Sequence, residues 1–166
     1  MHGEILARKS GNVYYQIKDS IFSTNAYSGE TKLVTVFPEN FEASVVSVNE
    51  NETLLAGTYS GEVKKQIYEK YPEKRDYFNR IYEARLPHVL FTVNIQTGEI
   101  DTLHTDNAWL NHVQFSPTDP NMLMFCHEGP WHKVDRIWMI NTDTKEITKM
   151  HERTVEREIA GHEFWA

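Results

Sequence analysis

The chain has 166 residues, 40% of them hydrophobic and 12% aromatic, enough for one packed core that needs neither disulfides nor metal to fold. A charged fraction of 25% argues against disorder, and a formal charge of -7 without any cluster of lysines and arginines argues against a nucleic-acid partner. The single cysteine, Cys126, excludes an internal disulfide framework, while the polar opening MHGEILARKSG shows no export signal and no apolar run is long enough for a membrane span. The expectation is a cytoplasmic protein with no membrane partner.

Along the chain, the first recurring pattern is IFSTNAYSGETKLVTV from Ile21: an alternating apolar strand, an asparagine, a tight turn at Ser28-Gly29 and a second alternating strand. FEASVVSVNENETLLAGTY follows as a strand pair around a polar turn. From Glu62 to Pro87 the period changes. Val63, Ile67 and Tyr71, then Phe78, Ile81 and Tyr82, recur at helical spacing, and Tyr71-Pro72 divides the segment into two helices. This insertion is either a wall of a substrate cleft or a helical layer whose aromatic stripe packs on β-structure. LFTVNIQTGEIDTLHT from Leu90 and RIWMINTDTKEITKMHE from Arg136 repeat the hairpin pattern, with another strand pair, HVQFSPTDPNMLMFCHE, between them.

Asn94 and Asn141 stand 47 residues apart, close to the ~40 to 45 of a four-stranded propeller blade. The unit of strand, turn, strand, loop and hairpin predicts an all-β fold, a β-propeller, with a sandwich as the alternative. Residues 1–166 form one partial propeller of about three to four blades, and EIAGHEFWA reads as a strand of a further blade. Closed propellers have roughly four to eight blades, so the chain is expected to be part of a longer one, with exposed strand edges that favour self-association.

Chemistry-bearing residues concentrate late. Six of eight histidines lie between His104 and His162, and CHEGPWHKVDRIW sets two of them among Glu128, Lys133, Asp135 and Arg136. HEGPWH has one residue too many for a zinc H-E-x-x-H helix, and Gly129-Pro130 forbids that helix. No nucleophile elbow, phosphate-binding glycine loop or Cys-x-x-Cys pair is present, and Cys126 at the end of MLMFC reads as a buried structural thiol. His127 and His132 as a transition-metal pair, and a non-enzymatic TolB-like or WD40-like binding segment, are the competing readings.

The run HVQFSPTDPNMLMFCHEGPWHKVDRIWMIN together with EIAGHEFW resembles the oligogalacturonate lyases, closely from about Asn107 to Trp165 and more loosely upstream. The resemblance implies a seven-bladed propeller of pectin breakdown that cleaves short, unsaturated galacturonate oligomers by β-elimination with manganese. It assigns His162 of GHEFW as catalytic base and Arg136 of DRIW as catalytic arginine, with His112, His127 and His132 as substrate-binding residues. It puts the manganese ligands, a cluster of histidines with a glutamine, in later blades, so that this chain supplies no metal ligands and is expected to be inactive alone. The residue types suit the chemistry. Arginine can neutralise the uronate carboxylate in fork geometry, and a neutral imidazole can take the C5 proton. Taken without the resemblance, His162 could be a packing residue, Arg136 a structural ion-pair or cation–π partner, and Glu128 and Asp135 loop-turning acceptors.

Overall fold

The structure is a computed structural model that describes residues 2–39 and 41–165. Twelve strands form three four-stranded antiparallel sheets, each a simple meander. The first holds β1 (His2–Leu6), β2 (Asn12–Ile17), β3 (Ser20–Asn25) and β4 (Thr31–Val36). The second holds β5 (Ala43–Val48), β6 (Leu54–Ser60), β7 (His88–Asn94) and β8 (Ile100–Asp106). The third holds β9 (Trp109–Phe115), β10 (Met122–Glu128), β11 (Ile137–Asn141) and β12 (Ile147–Lys149). Their leading strands β1, β5 and β9 touch in that order, so the sheets stand as successive blades of a partial β-propeller.

The blades adhere because the middle one is apolar on both faces, as alternation along a strand requires. Leu55, Phe91 and Val93 join Tyr14, Ile21 and Phe37 in a core against the first blade. Ala56 and Leu90 turn the other way and join Leu110, Leu123, Phe125 and Ile140 in a core against the third. Gly57 on β6 faces the Ser44 carbonyl of β5 so closely that a Cβ would collide with it. Leu6 and Val46 remain 57% and 50% exposed on β1 and β5, beside the edge left by the first and second blades.

The three hairpins share one device. Asn25 Oδ1 accepts the N–H groups of Tyr27 and Ser28, both at 3.0 Å. Asn94 does the same for Gln96 and Thr97, at 2.9 and 3.0 Å, and Asn141 for Asp143 and Thr144, both at 3.0 Å. Each asparagine side chain thus ties a turn whose backbone donors would otherwise lack partners. The next position has positive φ: 73° at Gly29, 74° at Gly98 and 59° at Lys145. Lysine tolerates that conformation less well than glycine, yet Lys145 Nζ reaches the second blade, donating to Asp101 Oδ1 at 3.0 Å and the Thr102 carbonyl at 2.9 Å.

The insertion between β6 and β7 is helical and broken at Tyr71-Pro72, giving α1 (Glu62–Lys70) and α2 (Lys74–Ala84). Its aromatic stripe does pack on the sheets: Ile81 is buried, and Phe78 meets Trp109 at the start of β9 with ring centroids 5.4 Å apart. Tyr82 fills the space that a Cβ on Gly129 would need. The same helix also lines a cleft, through Lys74 and Phe78.

One expectation changes. Residues 158–165 form no strand; the segment is a strap whose Glu163 carbonyl accepts from Gln114 Nε2 at 3.1 Å and whose Trp165 Nε1 donates to the Gln114 carbonyl at 3.2 Å. A strand needs a ladder partner, and among the described residues each of these bonds joins a side chain to a backbone carbonyl rather than backbone to backbone; Ala166 lies outside the described residues.

Candidate active site

Arg136, one residue before β11, is 1% exposed, and its guanidinium is gripped from two sides. Nε donates to Glu163 Oε2 at 2.9 Å and Nη1 to Glu128 Oε1 at 2.6 Å, with longer contacts from Nη2 to both carboxylates. His112 closes the ring: its Nε2 lies 3.3 Å from Glu128 Oε2 and its Nδ1 3.0 Å from Glu163 Oε1. Two carboxylates facing both ring nitrogens call for an imidazolium, which donates on each side. Two cations and two carboxylates then cancel, the condition under which buried charge is tolerated.

The backbone explains how His112 reaches this place. Opposite β10, Gln114 pairs with Met124 and Asn111 with Cys126, so His112 and Val113 together face the single residue Phe125. That is a β-bulge, and His112 adopts a φ of 49° within it. The extra residue re-aims the imidazole out of the ladder and towards the ends of β10 and the strap.

The network sets its own protonation. Hydrogen bonds to Glu128 and then Glu163 outweigh burial and lift the His112 pKa to about 9. Burial pushes Glu128 up, but hydrogen bonds from His112, Arg136 and the Gly129 N–H overcome it and hold the carboxyl at about 2. Glu163 is likewise lowered, with burial outweighed by His112 and Arg136. Cys126 lies beside this group, and burial pushes its thiol well up, so it remains neutral. Ligand-type atoms of His112, Cys126 and Glu128 converge within 4.8 Å. They make a poor cation site, because the thiol and the imidazolium would both have to lose protons beside the Arg136 guanidinium.

Above the network opens a cleft of about 310 Å³, lined by His112, Glu128, Trp131, Arg136 and His162 on the blade side and by Lys74 and Phe78 of α2. His162 is exposed; its ring lies parallel to that of His112, centroids 6.3 Å apart, and edge-on to Trp131 at 5.4 Å. Trp131 in turn covers Arg136, with the guanidinium carbon 5.3 Å from the ring centroid. The arginine forks expected to hold a sugar carboxylate are therefore occupied by Glu128 and Glu163, as are both N–H groups of His112, and the cation left facing the opening among the described residues is Lys74.

Of the five residues singled out from the sequence, His162, Arg136 and His112 meet in this cleft. His127 does not. It stacks on Trp138 with centroids 4.6 Å apart, points Nε2 at Asp106 Oδ2 at 3.6 Å, and lines a separate cavity of about 160 Å³ with Tyr82, Arg85 and Asp135. Burial lowers its pKa, which Asp106 partly offsets. His132 sits exposed in a single 3₁₀ turn, lines neither cavity, and contributes only its carbonyl, which accepts from Arg153. The two therefore share no pocket in which they could act as a metal pair. Sequence reading missed Glu163, Trp131 and Lys74 as site residues; it gave Glu128 as an alternative loop-turning acceptor, which it is towards the Gly129 N–H, but not as a partner of Arg136. Glu163 was hidden in plain view, as the neighbour of His162 in GHEFW.

A family model described as oligogalacturonate lyase matches residues 2–166. The oligogalacturonide lyase of Pectobacterium atrosepticum is 37% identical over 105 residues, which are 63% of this chain and 26% of that protein. Among solved structures, an oligogalacturonate lyase from Vibrio parahaemolyticus superposes with a TM-score of 0.79 at 25% identity, covering 92% of this chain and 40% of its own. An oligogalacturonate lyase in complex with manganese gives 0.77 at 24% identity, with the same coverage. The chain thus spans about a quarter of the curated relative it matches. With the family match running from β1 through the strap that bears His162, the chain belongs to the oligogalacturonate lyase family.

Proposed function

We propose that this chain supplies the proton-abstracting part of an oligogalacturonide lyase. The observation that carries the proposal is an exposed imidazole, His162, standing in one cleft with Lys74 and with the network of His112, Glu128 and Arg136. In a uronate the C5 proton is only weakly acidic, because its removal adds charge next to a carboxylate that is already negative. Lys74 meets that carboxylate, while the N–H groups of His112 and the forks of Arg136 stay on Glu128 and Glu163 and form the charge-balanced floor of the cleft.

His162, in its neutral form, then takes the C5 proton. The C5–H electron pair becomes the C4=C5 double bond, and the C4–O bond breaks, its pair leaving on the glycosidic oxygen, which is protonated from solvent. The products are a shortened chain and an unsaturated uronate.

Manganese, which one solved relative holds, does not suit the donors of this chain. That ion favours carboxylate, imidazole and water, whereas His112, Cys126 and Glu128 present an imidazolium, a neutral thiol and a carboxylate already bound to arginine. The steps above are therefore assigned to side chains alone. The charge masking that an ion would add is lacking from this set, and the isolated chain is inactive on the same reading.

Titration of isotopically labelled chain with digalacturonate tests the site. Resonances of His162, Trp131, His112 and Lys74 are expected to shift together, saturably and in a salt-sensitive way. Shifts confined to the cavity around Ile5, Val46 and Phe115, or none at all, would contradict it.

A further inference from the structure

His162 is carried by a strap that pairs with no strand among the described residues, so the ladder bonds that normally fix a side chain on a sheet do not fix this one. A base must nevertheless be held closely, since displacement by about 1 Å costs on the order of a hundredfold in rate. Something else has to hold it.

The neighbouring residue has the needed contacts. Glu163 has a side chain 1% exposed, and its two oxygens accept from different cations, Oε2 from Arg136 Nε at 2.9 Å and Oε1 from His112 Nδ1 at 3.0 Å. Its backbone carbonyl accepts from Gln114 Nε2 at 3.1 Å, anchoring the same residue to β9 a second way. Burial alternates along the strap: His162 is exposed, Glu163 buried and Phe164 76% exposed. Drawing Glu163 into the interior therefore turns His162 outward, over Trp131 and into the cleft.

Glu128 does the matching work for the wall of the cleft. Its Oε1 accepts from Arg136 Nη1 at 2.6 Å and from the Gly129 N–H at 3.0 Å, at the start of the loop that carries Trp131. Arg136 joins the two carboxylates, so the strap and the loop share one hub.

We infer that Glu163 is the positioning residue for His162: its buried carboxylate, clamped between Arg136 and His112, sets where the neighbouring imidazole stands. This rests on the reading of His162 as the base, but the contact itself can be tested without turnover. An amide cannot replace the carboxylate. Glutamine offers one acceptor oxygen, whereas Arg136 and His112 each present an N–H, so one donor would face the amide nitrogen. The network would also carry an excess positive charge with only Glu128 to offset it, which favours loss of the His112 proton. The titratable and charged groups facing His112 are Glu128, Glu163 and, beyond them, Arg136, Cys126 and His162.

The test uses the labelled chain, comparing wild type with Glu163→Gln and Glu163→Asp by imidazole titration, amide spectra and ring-to-ring contacts. Glu163→Gln is expected to abolish the His162–Trp131 ring contact, give residues 161–165 the shifts of free peptide, and bring the His112 midpoint down from about 9, while the sheet resonances stay in place. Glu163→Asp keeps the charge and should restore the His112 midpoint, but its shorter reach should leave the His162–Trp131 contact weakened. If the glutamine variant does not fold, the aspartate variant alone decides, by whether that ring contact weakens. A preserved contact in every folded variant overturns the inference. Should the contact be lost as expected while digalacturonate fails to shift His162 in wild type, the positioning stands and the site reading fails.

Discussion

His112 is the residue on which the charges of the site balance, and its protonation can be read from stability. A histidine whose pKa is raised on folding contributes stability that is complete below its unfolded value of about 6.5 and disappears as pH rises through about 9. For Glu128 the sense is reversed. Its contribution is complete above the unfolded value of about 4.3 and is lost as pH falls through about 2. Urea unfolding should therefore show a plateau between these unfolded values, with an alkaline decline that His112→Gln removes; superimposable pH profiles for the two proteins would contradict the network. The sequence signalled that His112, Arg136 and His162 mattered, because they fall in motifs shared with a known family. It offered a structural ion pair as the alternative for Arg136 but not its partners, since nothing in DRIW shows that carboxylates 8 residues before it and 27 residues after it close on the same guanidinium.

At the scale of the element, what was legible is what short-range pattern controls. The alternation of IFSTN, LFTVN and IWMIN fixed three hairpins, and the change to helical spacing at Glu62, with Pro72 as a break, fixed α1 and α2. The recurring asparagine was visible too, and the structure supplies its reason: one side-chain oxygen ties two turn N–H groups in each blade. Asn94→Ala should accordingly cost about 1 kcal/mol in chemical denaturation, the net worth of a hydrogen bond or so, with the fold retained; no measurable loss would mean the turn forms without its tie. Two features were not legible because neither has a local signature. The bulge at His112 depends on how β9 registers against β10, and the strap at Glu163 is held by three partners on two segments, His112 and Gln114 on β9 and Arg136 before β11. A strand was the natural expectation for EIAGHEFWA, whose sequence does not show that β9 would be met by bonds between side chains and backbone carbonyls instead of a ladder.

Over the whole molecule, the second and third blades, with the helical insertion and the strap, bring together what is far apart in sequence. Lys74 and Phe78 from the insertion, His112 from β9, Trp131 and Arg136 from the loop before β11, and His162 from the strap all line one opening. The middle blade, apolar on both faces, holds its neighbours at the angle that makes this possible. The central claim is that His162 removes the proton, and the most direct measurement is the release of unsaturated uronate from digalacturonate. It is made with this sequence joined to the remaining blades of a full-length relative, in the presence of manganese, with and without His162→Ala. The account predicts a fall of about 10²- to 10⁴-fold in turnover, the usual contribution of a general base, with substrate binding little changed. Turnover at the unaltered rate in the alanine variant would contradict it.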